Sequence, residues 1–204
     1  EVAMQDAVYG WLSSSLGLHW GTGSSTDEIP PRTANRHGGL AESPYNVYPT
    51  ADGYIAIICV GEKHWRNLTG LMGMSELADD KRFATLKERV AHMDLVDETV
   101  SSWTSQYPTN WLFEQMMAAQ VPCSPIRTLE EVMNDPNMHA RGALEWQDHP
   151  QYGRIVVQQS PFRFDGVSPF PLQPSQPLGE DNIAILRDRL GMTDDEIERA
   201  TRAG

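Results

Sequence analysis

The pair Asp52-Gly53 places the firmest constraint on how this chain folds. It stands between two runs rich in β-branched and aromatic residues, at positions 45–50 and 54–60. An Asp-Gly pair between two such runs is a strong signal for a β-hairpin, because both residues tolerate the backbone angles of tight turns. The sequence therefore predicts an antiparallel hairpin. The second run is apolar at nearly every position, which predicts a strand covered on both faces.

Helical periodicity dominates much of the remaining chain. Apolar residues recur every three or four positions in several segments, which predicts amphipathic helices at residues 62–72, 86–103 and 110–120. Thr128 and Glu131 form the pattern of a helix capping box, and Asp135-Pro136 interrupts the helix that follows. Short strands are predicted at residues 144–147, 154–159 and 162–164, and two helices at the end of the chain. The mixture is that of an α+β protein.

The chain opens on an apolar stripe with roughly helical spacing between Val2 and Leu12, and no capping residue precedes it. Residue 1 is Glu rather than Met. We interpret this start as a helix already under way, in a protein whose natural N-terminal part precedes Glu1; a frayed natural terminus is the alternative. Residues 21–36 are rich in Gly, Ser, Thr and Pro, which predicts a linker.

The composition of the chain excludes several classes of partner and site. The chain has 28 Asp and Glu against 16 Lys and Arg, a net charge of −12, which argues against a nucleic-acid partner. No apolar run approaches the roughly 18–20 residues of a membrane span. Cys59 and Cys123 form no CxxC pair, and the histidines lack metal-ligand spacing, so neither a disulfide scaffold nor a metal site is predicted. The sequence predicts a cytosolic protein without membrane partners.

Two features are candidates for chemistry. The first is the polar loop Asn35-Arg36-His37-Gly38-Gly39, whose glycines allow close approach of the backbone to a ligand and can present N–H donors to an oxyanion. Arg36 and His37 could add a charge or a proton donor, but a plain turn before the strand is equally compatible. The second is Glu62, at the end of the second strand. It is either a general acid/base or a carboxylate that favours the helix N-terminus.

Five motifs resemble, in order, motifs of the class III CoA-transferase family, also called the CaiB/BaiF family. They are residues 43–57 followed by Trp65, residues 77–83, residues 121–126, residues 135–142 and Leu178-Gly179-Glu180. Residues 2–7 are similar to a helix in the middle of a family chain. The resemblance covers essentially the whole sequence and corresponds to the C-terminal half of a family member. Asp181-Asn182 departs from the His-Thr of the family motif.

The resemblance implies a small α+β domain, made of an antiparallel hairpin sheet and helices, and a C-terminal segment of a larger, doubly wound α/β domain. Residues 1–30 would be a helix and linker from the larger domain, residues 31–143 the small domain, and residues 144–204 the return to the larger domain. It also implies an interlocked homodimer in the cytoplasm. Coenzyme A thioesters would be substrates, with no permanently bound cofactor.

The implied activity is transfer of coenzyme A from an acyl-CoA to a carboxylic acid. The family uses an aspartate that forms a mixed anhydride and then an aspartyl-CoA thioester, and the family pattern places that aspartate before Glu1. Arg36, His37, Gly38 and Gly39 fall where the family's glycine loop closes over the acyl and carboxylate end of the substrates. Formyl-CoA transferases carry a longer glycine run there, which disfavours oxalate and formate specificity.

Two alternatives remain open. The α-methylacyl-CoA racemases share this fold and use acid/base residues, one of which is a glutamate at the position of Glu62. Their other acid/base residues lie upstream, so Glu62 does not decide between the two chemistries, although the segments around Asp52 and Arg141 fit the transferase pattern better. The third hypothesis is a folded fragment or binding module without activity.

Overall fold

The structure is a computed structural model that describes residues 3–21, 32–168 and 171–202. The chain divides into two units, Glu1–Ile126 (unit 1) and Arg127–Gly204 (unit 2). Most of the predicted linker, residues 22–31, lies outside the described residues. The assignment of segments to the small and larger domains of the family stays a prediction.

Unit 1 begins with the helical segment that the sequence predicts. Helix α1 (Met4–Tyr9) runs through a single 3₁₀ turn (Gly10–Leu12) into helix α2 (Ser13–Gly21). The predicted opening helix is therefore confirmed. Its last part matters for the site, because Ser14 and Ser15 of α2 are only partly exposed and contact the loop at residues 36–39.

The predicted hairpin is confirmed as strands β1 (Tyr45–Pro49) and β2 (Tyr54–Ile58), which are antiparallel with Pro49 opposite Tyr54. A short third strand, β3 (Cys123–Pro125), pairs with the other side of β2 and gives the order β1-β2-β3. Gly53 closes the hairpin loop, where the Thr50 N–H donates to its carbonyl oxygen at 2.9 Å. A side chain at Gly53 would place its Cβ 3.2 Å from the Thr109 Oγ1. Glycine is favoured there by close packing rather than by a left-handed backbone.

The prediction that β2 is covered on both faces is wrong. Its side chains alternate, with Ile55 and Ile57 buried while Tyr54 is 55% exposed and Ile58 is partly exposed. Alternate residues of a strand point to opposite faces of a sheet. Only the face that carries Ile55 and Ile57 belongs to the core of unit 1, so the apolar character of the run overstated its burial.

Helices cover the buried face of this sheet. They are α3 (Glu62–Leu71), α4 (Leu86–Ala91), α5 (Met93–Thr104) and α6 (Thr109–Ala118), with a 3₁₀ turn at Ser75–Ala78. Helix α3 buries Trp65, Leu68 and Thr69, the i, i+3, i+4 stripe of an amphipathic helix. The core also contains Ile55, Ile57, Val96, Val100, Trp103, Leu112 and Met116.

The continuous helix predicted at residues 86–103 is wrong, because His92 separates α4 from α5. Its backbone leaves the helical region, with φ −117° and ψ 32°. The ring Nδ1 of His92 lies 2.9 Å from the Glu88 carbonyl oxygen, which also accepts the His92 backbone N–H at 3.0 Å. A side chain that competes for a helix carbonyl favours termination at that point.

The hairpin loop also caps helix α6. The Asp52 Oδ1 accepts hydrogen bonds from the Thr109 backbone N–H at 2.8 Å and from the Thr109 Oγ1 at 2.7 Å. A free N–H at a helix N-terminus is normally satisfied by a nearby capping residue. Here the cap comes from 57 residues away, and it connects the hairpin to the helix layer.

Unit 2 contains helices α7 (Leu129–Met133) and α8 (Pro136–Ala140), the antiparallel strands β4 (Leu144–His149) and β5 (Gly153–Gln158), and helices α9 (Asn182–Ala184) and α10 (Asp194–Arg202), with a π-helical stretch at Ile185–Arg189. The capping box at Thr128 and Glu131 is confirmed. The predicted strand at residues 162–164 is wrong. That segment has no regular structure, and its Phe162 is 76% exposed, so it lacks the pairing and burial that stabilise a strand.

No helix within the three described ranges has the length and apolar character to cross a membrane.

Candidate functional site

The loop that holds the predicted substrate-binding residues 36–39 contacts α2, β1 and α5. Two hydrogen bonds close its first turn, from the Arg36 N–H to the Thr33 carbonyl oxygen at 3.0 Å and from the Thr33 Oγ1 to the Arg36 carbonyl oxygen at 2.8 Å. Ala34 and Leu40 adopt positive φ angles of 53° and 44°. Such angles disfavour residues with a Cβ and persist only where the surroundings hold them. The conformation of the loop therefore depends on its contacts with the surrounding structure.

A buried carboxylate anchors the loop through Arg36. The Asp97 Oδ2 accepts from the Arg36 Nε at 2.7 Å and from the Asn46 Nδ2 at 2.9 Å, and the Asp97 Oδ1 accepts from the Tyr48 hydroxyl at 2.5 Å. Arg36 also donates to the exposed Asp94 at 2.7 Å. These contacts join the loop to β1 and α5, so Arg36 stabilises the loop before any ligand binds.

The same network shifts proton affinities. Burial, the negative charge of Asp97 and the hydrogen bond to it all raise the pKa of Tyr48 far above its usual range, so the phenol is protonated at any physiological pH. Burial by itself lowers the pKa of Arg36, but hydrogen bonds to Asp94 and Asp97 and the charges of both carboxylates raise it above its ordinary value. Neither group is suited to proton transfer.

His37 is held on three sides. Its ring stacks on Tyr45, with ring centres 4.9 Å apart and planes 9° from parallel. The Nδ1 accepts the Gly39 N–H at 3.3 Å, which leaves the proton on Nε2, where it faces the Ser14 Oγ at 3.0 Å. Both ring nitrogens therefore have partners within the protein, and the role of His37 as a proton donor stays a prediction.

Close packing accounts for the glycine pair, with Gly38 against α2 and Gly39 against the ring of His37. A Cβ at Gly38 would lie 2.5 Å from the Ser15 Oγ, and a Cβ at Gly39 would lie 3.0 Å from the Cε1 of His37. Distances this short require a neighbour to move. The two glycines let the loop approach the helix, while their contact with an oxyanion stays a prediction.

Glu62 lies at the start of α3 and is held by α4. Its Oε1 accepts the Leu86 N–H at 2.8 Å, and its Oε2 accepts from the Arg89 Nη1 at 2.7 Å. Burial raises the pKa of Glu62, but hydrogen bonds from Arg89 and Leu86 and the charge of Arg89 more than offset it and leave the pKa below its usual value. The carboxylate therefore resists protonation, and its role as an acid/base group stays a prediction.

The partner of Glu62 is a fully buried arginine. Arg89 donates from Nε to the Ser43 carbonyl oxygen at 2.8 Å and from Nη1 to the Phe83 carbonyl oxygen at 2.9 Å, and it lies over the Trp65 ring at 5.4 Å. Its Nη2 is buried with no hydrogen-bond partner among the described residues. Glu62 is the carboxylate that forms an ion pair with it there.

The structure thus brings Arg36, His37, Gly38 and Gly39 together and gives Glu62 a separate set of contacts. No described hydrogen bond or ion pair links Glu62 to residues 36–39. Sequence reasoning missed Asp97 and Arg89, the charged residues that organise these two groups. A signal existed for Asp97, since it lies beside Val96 on the apolar stripe of α5, and a charge on a buried stripe needs a partner.

A cleft of about 450 Å³ opens beside the loop. It is lined by residues 32–36, by Leu40 and by Asn46 and Val47 of β1. The donors on its walls are guanidinium and amide groups, which suit an anionic ligand. In the described part of the chain, no group of three His, Cys, Asp or Glu side chains is placed to hold a metal ion.

Comparison with known proteins identifies the class. Residues 1–182 match CoA-transferase family III, and the chain belongs to this family. The structure is similar to that of a CaiB/BaiF family protein from Brucella suis, with a TM-score of 0.71 and 30% identity over 90% of this chain and 46% of that one. The family resemblance noted in the sequence is therefore confirmed.

Two curated relatives are CoA-transferases. The chain is 33% identical to the succinyl-CoA–D-citramalate CoA-transferase of Chloroflexus aurantiacus, over 97% of this chain and 48% of that protein. It is also 33% identical to the succinate–glutarate CoA-transferase of Agrobacterium fabrum, over 78% of this chain and 39% of that protein. The chain spans about half or less of the length of these relatives.

Proposed function

We propose that this chain forms the C-terminal half of an enzyme that transfers coenzyme A from an acyl-CoA thioester to a carboxylic acid. The match to CoA-transferase family III over residues 1–182 is the observation that carries the proposal. The two relatives at 33% identity, both named as CoA-transferases, support it. Two copies would assemble as an interlocked homodimer in the cytoplasm.

The reaction would proceed through covalent catalysis. An aspartate located before Glu1 attacks the acyl-CoA and forms a mixed anhydride with release of the CoA thiolate. The thiolate then attacks the aspartyl carbonyl, which gives an aspartyl-CoA thioester and frees the first acid. The acceptor carboxylate repeats these two steps in reverse and leaves as the new thioester. Each step passes through an oxyanion that nearby N–H donors stabilise.

The contribution of this chain would be the loop at residues 36–39, which closes over the acyl and carboxylate end of the substrates. Its anchoring by Asp97 and Ser14 supports this role, because a loop held in place before binding needs little reorganisation in the transition state. Arg36 and His37 would then act mainly by fixing the loop. The Gly39 N–H already donates to the His37 Nδ1 at 3.3 Å, so the Gly38 N–H would be the glycine donor for a substrate oxyanion.

The contacts of Glu62 favour transfer over racemisation. A general base needs a carboxylate oxygen that is free to accept a proton, whereas both Glu62 oxygens already accept hydrogen bonds, from Leu86 and from Arg89. Glu62 would have a structural role in a transferase. These contacts therefore support the CoA-transferase hypothesis over the racemase hypothesis.

The test uses the natural protein that contains this sequence. It is incubated with succinyl-CoA and a series of carboxylic acids, and new thioesters are measured by mass spectrometry. We expect transfer to at least one acid, and hydroxylamine should trap an aspartyl thioester and inactivate the enzyme. A second arm measures deuterium uptake at the α-carbon of a 2-methylacyl-CoA in D₂O without acceptor acid. Uptake without transfer would establish a racemase instead, and neither activity would support the fragment hypothesis.

A further inference from the structure

The cleft beside the loop carries two guanidinium groups with different surroundings. Arg36 already donates from Nε to Asp97 and from Nη2 to Asp94, both at 2.7 Å. Arg32 also lines the cleft and is exposed, and it forms no hydrogen bond or ion pair with another described residue. Arg32 is therefore the guanidinium that is ready to bind a ligand there.

Amide side chains complete this wall of the cleft. Asn35 is exposed at the turn, and Asn46 is fixed in orientation because its Nδ2 donates to Asp97 at 2.9 Å while its Oδ1 accepts the Val47 N–H at 2.8 Å. The second hydrogen of the Asn46 Nδ2 has no acceptor within the described part of the chain. A guanidinium with neighbouring amide donors is well suited to the two oxygens of a carboxylate, which accept parallel N–H bonds.

The charge balance selects among anions. Asp94 and Asp97 together more than offset the charge of Arg36, so Arg32 carries the positive charge among the described lining residues that no described carboxylate binds. A ligand with one carboxylate has one negative charge, which matches the single positive charge of Arg32. A phosphate with two negative charges would be repelled by Asp94 and Asp97 behind Arg36.

We propose that Arg32 binds the carboxylate of a small organic acid, and that Arg36 is a positioning residue, fixed by Asp97, that shapes the cleft. The identity of this acid as the acceptor in CoA transfer rests on the proposed function, whereas binding of the carboxylate does not require catalysis. Arg32 thus joins the residues that determine which acids bind.

The binding test uses the natural protein that contains this sequence and succinamate, which has one carboxylate and one neutral amide. Backbone amide signals are followed by ¹⁵N NMR during titration, with inorganic phosphate as the competing anion. We expect saturable shifts at residues 32–36 and 46–47, and affinity for phosphate at least about ten-fold weaker. Arg32→Gln should weaken succinamate binding by about ten-fold or more, and Arg32→Lys, which keeps the charge but loses the paired donors, by less.

Arg66→Gln is the matched control, because Arg66 is an exposed arginine that forms an ion pair with Asp79 at 3.2 Å and does not line the cleft. It should bind succinamate as the wild type does. The Tm of Arg32→Gln should equal that of the wild type. If it does not, the succinamate affinities of the wild type, Arg32→Lys and Arg32→Gln are compared, and a stepwise decrease in that order supports direct binding by Arg32. Unchanged binding by Arg32→Gln, equal affinity for phosphate, or shifts elsewhere in the chain would overturn the proposal.

Activity of the natural protein separates this inference from the proposed function. If CoA transfer occurs, Arg32→Gln should raise KM for the acceptor acid several-fold with little change in kcat. Transfer with an unchanged KM would refute the role of Arg32 and leave the transferase intact. Binding of succinamate through Arg32 without any transfer would refute the transferase and leave the carboxylate site.

Discussion

Asp97→Asn tests whether a buried carboxylate holds the candidate loop in place. Asp97 accepts three hydrogen bonds, from Arg36, Asn46 and Tyr48, and its side chain is 12% exposed. Asparagine has nearly the same shape but no charge. Its oxygen can replace part of this acceptor set, while its NH₂ group must face a donor in place of a carboxylate oxygen.

The expected loss follows from these contacts. A hydrogen bond to a charged group contributes about 1.5–3 kcal/mol, and removal of one partner of a buried ion pair costs about 3–5 kcal/mol. Asparagine retains some of the hydrogen bonds, and Arg36 retains Asp94, so we expect a loss of about 2–4 kcal/mol in the free energy of unfolding. For a chain of this size that is a drop in Tm of roughly 4–16 °C.

The assay is urea denaturation followed by tryptophan fluorescence. Of the 6 tryptophans only Trp146 lies beyond residue 126, so the signal reports mainly on unit 1. Asp94→Asn is the matched control, since Asp94 binds the same Arg36 from the same helix but its side chain is 94% exposed. Exposed ion pairs contribute little. Equal effects of the two substitutions would refute the role assigned to Asp97.

Three further predictions concern neighbouring groups. Glu62→Gln should lower the free energy of unfolding by about 1 kcal/mol at neutral pH, since Arg89 loses its ion-pair partner at a half-exposed position. Because folding lowers the pKa of Glu62, this contribution is present above the ordinary glutamate pKa and is lost as the pH falls through the lowered value. Thermal melts of the variant and the wild type should therefore converge in acid, and a difference that stays constant with pH would contradict this account. Burial raises the pKa of Cys59 to about 12, so its thiol should resist iodoacetamide at pH 8 in the native protein and react in urea, as peptide mass spectrometry would show. Gly38→Ala should lower Tm because its Cβ meets the Ser15 Oγ, and Ser15→Ala should restore part of the loss in a double-mutant cycle; additive effects would show that the two residues do not interact.

Much of the secondary structure was predictable because its signals are local. The hairpin around Asp52-Gly53 and the capping box at Thr128 depend on residues within a few positions of each other, and both are confirmed. The errors arose where packing against the rest of the fold, or one particular side-chain contact, decides. Burial of β2 depends on which face the helices cover, and the break at His92 depends on a side chain that competes for a backbone carbonyl.

The candidate site shows the same division. The sequence drew attention to Arg36, His37 and the glycine pair because polar and glycine residues cluster there. It did not indicate that Arg36 would be bound to Asp97, 61 residues further along the chain, or that Arg89 would be the partner of Glu62. Only a charge on the apolar stripe of α5 hinted at the first pairing.

By itself, the sequence determined the family, the hairpin, the amphipathic helices and the acidic character of the chain. The family follows from the resemblance of five ordered motifs, whereas the hairpin, the helices and the acidic character follow from periodicity, turn chemistry and composition, which act between neighbouring residues or over the whole chain. The tertiary structure decided which charges are paired among the residues it describes, for example that Arg36 is held by two carboxylates while Arg32 lines the cleft. Coulombic and hydrogen-bond partners are set by distances of a few ångströms in space, and packing of the fold alone brings those groups together.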